Sequence, residues 1–318
     1  MRQTVSAQVG PFTLADLSRG WKLGLVHLGK NKTADLVASS EGQTMVLLAQ
    51  PEPLKFRVVP ILGTIRAAQF LTGDFSGRGR TDLLIGSRFV GAFGIATQAE
   101  DGTFRFRQAK PLTKGYFDIA LADVNGDKRD DLLLSSGDIF LRQPDGSLAE
   151  TPSFHLNTPQ GTDAGWTFMA AGDFDRDGRP DVAFIANVKD GALVWLYRST
   201  RNPQEPFAKD PSATFTVPGA VVGRDGPTVG DWNGDGAADL ILGAQDKRGA
   251  RILTGSPQDG LSAQRVIAVP LDYEPFYDAR FAVADFNGDG RLDLAGFGPS
   301  AVGAVGVYIW LRPPDKGQ

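Results

Sequence analysis

Short apolar runs broken by polar, glycine-rich segments dominate the chain. Runs such as DLLIG, DVAFIA and DLILG are rich in β-branched and aromatic residues and are bounded by Gly, Pro, Asp or Asn. That pattern predicts strands. No three-and-four spacing of apolar positions lasts the length a helix needs. The runs follow a fixed order. An apolar stretch (FDIALAD, FAVAD) leads into an acidic phrase, and a second apolar run follows it. A Gly-rich turn then leads to a third run (MVLLAQ, ALVWLY, VGVYIWL), and a more polar, alternating fourth (KFRVVPI, FRFRQ, QRVIAV) closes the unit.

The unit recurs. Aligned on the first acid of the phrase, the copies fall at Asp74, Asp123, Asp173, Asp231 and Asp285, with a degenerate one at His27. The intervals run from 47 to 58 residues, so six units nearly exhaust the 318 residues. Four strands per unit, repeated radially, predict an all-β fold: a six-bladed β-propeller of four-stranded antiparallel blades, as a single domain over 1–318. Seven blades is the competing count, but there is no seventh phrase. The end of the chain, WLRPPDKGQ, resembles FLRQPDGS of the third unit, where a fourth strand is still to come. The last unit, at about 279–312, therefore lacks its fourth strand. TVSAQVG at 4–10 resembles LSAQRVI, the fourth strand of the fifth unit. An N-terminal strand at about 3–10 is expected to complete the last blade and cover its open edge.

Composition narrows the function classes. Hydrophobic residues make up 42%, enough for a sizeable core, and 39 Gly with 20 Pro suit many tight turns. The net charge of −4 carries no basic footprint for nucleic acid. No apolar run reaches membrane-spanning length. The absence of cysteine removes disulfides, Cys–zinc sites and thiol nucleophiles. The start, MRQTVSAQVG, has no apolar core of leader length, so either the protein is cytosolic or a signal peptide has been removed.

The acidic phrase carries the candidate chemistry. In its last copy Asp285, Asn287, Asp289 and Asp293 place oxygens at positions 1, 3, 5 and 9, with a backbone carbonyl near Arg291 and Gly290 at the bend. Hard oxygen donors without His or Cys suit Ca²⁺. An EF-hand would need Glu at position 12, where the chain has Leu134, Phe184, Leu242 or Gly296. The copies differ in quality. Asp173, Asp175, Asp177 and Asp181 give four carboxylates; Asp231, Asn233, Asp235 and Asp239 repeat the last pattern. Asp123, Asn125, Asp127 and Asp131 do too, but Lys128 stands where Gly is expected. The copies at His27 and Asp74 are poor, and Arg78 places a cation where a ligand should be. The alternative is a set of Asx-type turns with solvated acids. Against it, two carboxylates about 5 Å apart repel by roughly 3 kcal/mol at an effective dielectric of 20.

The phrase resembles the FG-GAP or VCBS-type repeat and is similar to the calcium loops of the integrin α-subunit propeller. The resemblance implies about four structural Ca²⁺ ions in hairpins between first and second strands, and a protein acting outside the cytoplasm. The remaining loops gather on the opposite face. They carry Trp21, Arg66, Tyr116, Trp166, Arg224, Tyr273, Tyr277 and Arg280, aromatics and cations that suit a sugar or peptide side chain. Each could equally plug a groove between blades. Trp195, Trp232 and Trp310 sit in or beside strands and read as packing residues, and His27 and His155 read as structural. The expected function is a monomeric, calcium-stabilised, non-catalytic module that binds a carbohydrate or protein. A polysaccharide lyase on the same propeller and an architectural module of a surface assembly are the alternatives.

Overall fold

The computed structural model describes residues 22–26, 28, 35–40, 43–50, 56–61, 69–76, 78, 80–87, 92–108, 118–157, 167–223, 226–246, 249–270, 281–299 and 305–313. It is a six-bladed β-propeller, and no helix occurs among the described residues. The chain divides into two compact units, 1–119 with 142–150, and 120–141 with 151–318.

In the first unit, blade 1 contains β1 (Lys22–Val26), β2 (Asp35–Ser40), β3 (Gln43–Ala49) and β4 (Phe56–Ile61), paired antiparallel in that order. Blade 2 repeats this with β5 (Gln69–Gly73), β6 (Asp82–Ser87), β7 (Ala92–Gln98) and β8 (Phe104–Gln108). Val37, Val46, Val59, Leu83, Ile85 and Ala96 form the core between the two sheets.

The second unit holds the other sheets. Blade 3 has β9 (Ile119–Ala122), β10 (Asp131–Leu134), β11 (Asp138–Phe140) and a two-residue β12 (Phe154–His155). Blade 4 has β13 (Thr167–Gly172), β14 (Asp181–Val188) and β15 (Gly191–Tyr197). An extra hairpin, β16 (Ser199–Asn202) and β17 (Glu205–Phe207), then precedes the fourth strand, β18 (Ala213–Pro218). Blade 5 splits its first strand into β19 (Ala220–Val221) and β20 (Thr228–Gly230), both paired with β21 (Asp239–Ala244), before β22 (Gly249–Leu253) and β23 (Val266–Pro270). Blade 6 shows β24 (Ala282–Ala284), β25 (Asp293–Pro299) and β26 (Val305–Trp310). The N-terminal strand expected to complete it lies outside the described residues.

Burial explains the hydrophobic pattern. Middle strands are covered on both faces, so β10 is buried throughout and β14 nearly so. Fourth strands expose one face and alternate, as in β18. Phe168, Ala183, Ile185 and Val194 of blade 4 share a core with Leu240, Leu242 and Leu253 of blade 5. Trp195 and Trp232 are buried packing residues, and Trp232 stacks on Trp310 with ring centres 5.7 Å apart.

The seams between blades use two devices at one position, the second residue after the third strand. Arg312 stacks its guanidinium over Trp232 and donates to the Trp232 carbonyl. Arg142, in the matching WLR/FLR context, does the same with Phe75 and the Asp74 carbonyl. In blade 5 the residue is Gly255, where a Cβ would lie 2.3 Å from the Ala238 carbonyl oxygen and 2.6 Å from that of Phe174. No side chain fits there.

Candidate metal centres

Each acidic phrase forms the loop between the first and second strands of its blade, and the Asp at position 9 opens the second strand in all six blades: Asp35, Asp82, Asp131, Asp181, Asp239 and Asp293. All six are buried. Their carboxylates hold backbone. Asp239 Oδ2 accepts the Trp232 and Asn233 N–H groups at 2.7 and 3.2 Å, and Oδ1 accepts that of Gly255 at 2.8 Å. Asp293 joins Phe286 to Arg312 in the same way, and Asp35 joins Leu28 to Ala49. In blades 1, 5 and 6 the residue therefore ties the loop's second position to the end of the third strand, while Asp82 and Asp181 hold only the Gln98 and Ser199 N–H groups there. The tie forms even in blade 1, whose loop lacks the acidic pattern. Spacing alone presents this Asp as a ligand; the structure also gives it a clamping role.

Positions 1, 3 and 5 follow one geometry in blades 3, 5 and 6. Asp231 Oδ1 accepts the Gly234 and Asp235 N–H groups, and its Oδ2 accepts that of Gly236 at 3.0 Å. Asp123 and Asp285 repeat the pattern. The exposed Asp285 carboxyl is held below its ordinary range, first by the Gly290 N–H. At position 3, Asn125, Asn233 and Asn287 each donate their amide to the carboxylate at position 5, at 3.0, 2.8 and 3.0 Å. These amides remove part of the repulsion expected within an acidic turn. Lys128 holds φ at +69°, the bend taken by Gly178, Gly236 and Gly290 in the other loops.

The loop of blade 4 differs. Position 3 is Asp175, which has no amide to donate. Ligand oxygens of Asp173, Asp175 and Asp177 lie within 4.8 Å of one another, the one such group of three acids among the described residues. Asp181 keeps one oxygen, Oδ2, buried without a hydrogen-bond partner among the described residues, as Asp82 does in blade 2, while Oδ1 accepts the Ser199 N–H at 2.8 Å. Burial, with the charges of Asp175 and Asp177 adding to it, pushes the Asp181 carboxyl up to about 7. Hard oxygens, a buried orphan and concentrated negative charge fit a hard divalent cation. Two cations of the protein already approach. Arg198 donates to Asp175 Oδ2 through Nε at 2.9 Å and a terminal nitrogen at 2.5 Å, and Arg201 Nε meets Asp177 Oδ2 at 2.8 Å. The sequence reading missed both arginines, which flank the added hairpin or lie within it. The signal was the interval from Asp173 to Asp231, the longest of the five at 58 residues.

In blade 2 the Arg78 guanidinium turns into its own loop, bonding Ser76 Oγ at 2.9 Å and lying 3.7 Å from Asp82. The loop at His27 lies outside the described residues, as do Trp21, Arg66, Tyr116, Trp166, Arg224, Tyr273, Tyr277 and Arg280, the residues expected on the opposite face. His155 is half-exposed and pairs through Nδ1 with Asp138 at 2.7 Å, its partner across the sheet. Asp138 also accepts the Ser136 hydroxyl. No helix among the described residues is long and apolar enough to cross a membrane.

Comparison with known proteins agrees with this geometry. The FG-GAP-like repeat family matches residues 74–134 and 231–296. Integrin alpha-3 of Cricetulus griseus is 28% identical over 138 residues, 36% of this chain and 13% of that protein. The chain thus matches only a small part of that relative's length. Among solved structures, an Agrocybe aegerita lectin described for recognition of non-reducing terminal N-acetylglucosamine aligns over 91% of this chain and 79% of its own, at 17% identity and TM-score 0.56. Rhamnogalacturonan lyase YesW aligns over 92% of this chain and 62% of its own, at 12% identity and TM-score 0.46. At 17% identity the lectin speaks to fold alone. The chain is a six-bladed β-propeller in which residues 74–134 and 231–296 resemble FG-GAP-like repeats and a stretch of 138 residues is similar to an integrin α subunit.

Proposed function

We propose that this protein is a non-catalytic, calcium-stabilised binding module that works outside the cytoplasm, as a single propeller domain, and takes a carbohydrate or protein partner on the face opposite its acidic loops. The observation that carries the metal half is the loop of blade 4, where three acids converge beside the unpartnered, buried Asp181 Oδ2. Asp173, Asp175, Asp177 and Asp181 would hold the ion there. Asp123, Asn125, Asp127 and Asp131, Asp231, Asn233, Asp235 and Asp239, and Asp285, Asn287, Asp289 and Asp293 would hold three more. Calcium would neutralise the gathered carboxylates and brace each hairpin, and millimolar extracellular calcium suits exposed loop sites. The partner half is supported by the aromatic and cationic residues of the other face, and by integrin and lectin relatives that share the fold.

A binding screen against a broad glycan and polysaccharide panel tests the partner half, run with calcium and with chelator while absorbance follows unsaturated products. Calcium-dependent binding without turnover is the expected result. Turnover would replace this reading with a lyase. Failure to bind any glycan would remove the carbohydrate partner and leave a protein ligand or an architectural role.

A further inference from the structure

The loop of blade 4 has more carboxylates than its counterparts and is met by two arginines from outside the loop, Arg198 just before an added hairpin and Arg201 within it. We propose that Arg201, carried by the β16–β17 hairpin, is a built-in counter-cation that a metal ion must displace from Asp177, so that hairpin order reports metal binding at this loop. The proposal rests on the reading of this loop as a metal site and names its regulation.

Charge balance is the first argument. In blades 3, 5 and 6 an Asn amide bonds the carboxylate at position 5, joined in blades 3 and 6 by an arginine of the loop itself, Arg129 and Arg291. Asp175 cannot do this for Asp177, and both side chains are nearly buried, at 6% exposure or less. Buried carboxylates this close need positive charge. Arg198 supplies it to Asp175 and Arg201 to Asp177.

Geometry is the second. Pairing of β16 with β17 is irregular between Ser199 and Asn202, and such a bulge re-aims a side chain. Arg201, inside that irregularity, holds φ at +63°. A left-handed backbone at a non-glycine residue costs about 1 kcal/mol. The ion pair with Asp177 opposes that cost. Losing it removes the contact that offsets the strain at Arg201, on a hairpin otherwise held by the Thr200–Glu205 hydrogen bond and the buried Phe207.

The two arginines are not equivalent. The Arg201 side chain is 68% exposed and can swing into water, while that of Arg198 is 36% exposed and holds Asp175 with two nitrogens. Arg198 bonds Asp175 through Oδ2; among the described residues Oδ1 accepts just the Asp177 N–H, at a long 3.2 Å. Asp175 can thus serve a metal through Oδ1 with Arg198 in place. Asp177 has Oδ1 on the Arg179 N–H and Oδ2 on Arg201, so Arg201 is the group that leaves. The fourth loop, despite its extra carboxylate, should bind calcium more weakly than the fifth, where Asp235 is bonded by the Asn233 amide and the Ala237 N–H.

The test is hydrogen–deuterium exchange of the full chain with and without calcium, together with calcium titration of wild type, Arg201→Ala and Arg201→Lys. Calcium should protect the amides of 173–181 and speed exchange across 199–207. R201A should exchange fast across 199–207 without calcium and bind calcium at this loop up to about fivefold more tightly, the value of an exposed ion pair. R201K, which keeps the charge, should restore the weaker binding. Protection of 173–181 with unchanged or slower exchange at 199–207, or weaker binding by R201A, would overturn the counter-cation role and leave the metal reading intact. No effect of calcium on 173–181 in any variant would overturn both.

Discussion

Asp239 accepts three backbone N–H groups, yet burial still pushes its carboxyl up to about 6, and that of Asp181 up to about 7. Both lie above the ordinary 3.8. A raised carboxyl binds more protons folded than unfolded, so its contribution is full below about pH 4 and lost as pH rises through about 6 to 7. In chelator, the melting temperature should therefore fall from pH 5 to pH 7.5, and Asp181→Asn should flatten the fall. With calcium the fall should shrink, because the ionised carboxylate is the ligand. A melting temperature that rises over that window in chelator would contradict the assignment. At Lys128, with φ at +69°, replacement by Gly should stabilise the protein by about 1 kcal/mol, read by denaturant unfolding. The sequence placed both features only in part. Spacing counts oxygens, and it does not reveal which N–H groups fold back onto them.

At the scale of the element, every described loop between first and second strands ends on the same buried carboxylate, which explains why the degenerate copies keep their last Asp. Asp35 and Asp82 have a backbone to hold whether or not a metal is near. The strands themselves were legible because middle strands are buried on both faces and outer ones on one. The β16–β17 hairpin was not, because STRNPQEPF is polar and lacks alternation; only its length showed, in the long interval. The interruption between β19 and β20 was likewise hidden in a turn-like PGAVVGRDGPT. The seam at Gly255 gives a sharp test. Gly255→Ala drives a Cβ into two carbonyl oxygens and should cost about 1–3 kcal/mol, visible as a lower denaturant midpoint. An unchanged midpoint would mean the blade 4–5 seam is looser than the structure has it.

At the scale of the molecule, the repeat decides the architecture. Six copies of one phrase were enough to predict six blades, because a unit of four strands cannot bury both faces alone and must stack on its neighbours. The chemistry of the phrase follows from the same stacking, which buries the ninth Asp in every blade and leaves positions 1, 3 and 5 nearer the rim in blades 3, 5 and 6 than in blade 4. The face expected to meet a partner was legible only as composition, since its aromatic and cationic residues vary from loop to loop and follow no repeat. The central claim is that calcium holds the acidic hairpins. It is tested most directly by thermal unfolding with calcium and with chelator, paired with metal analysis of the dialysed protein. About four bound calcium ions per chain are expected, each adding about 2.7 kcal/mol when free calcium is a hundred times its dissociation constant, with a marked drop in melting temperature on chelation. Superimposable melts and no bound metal would contradict it, and would leave the phrase as a hydrogen-bonded turn held by its own backbone, amides and arginines.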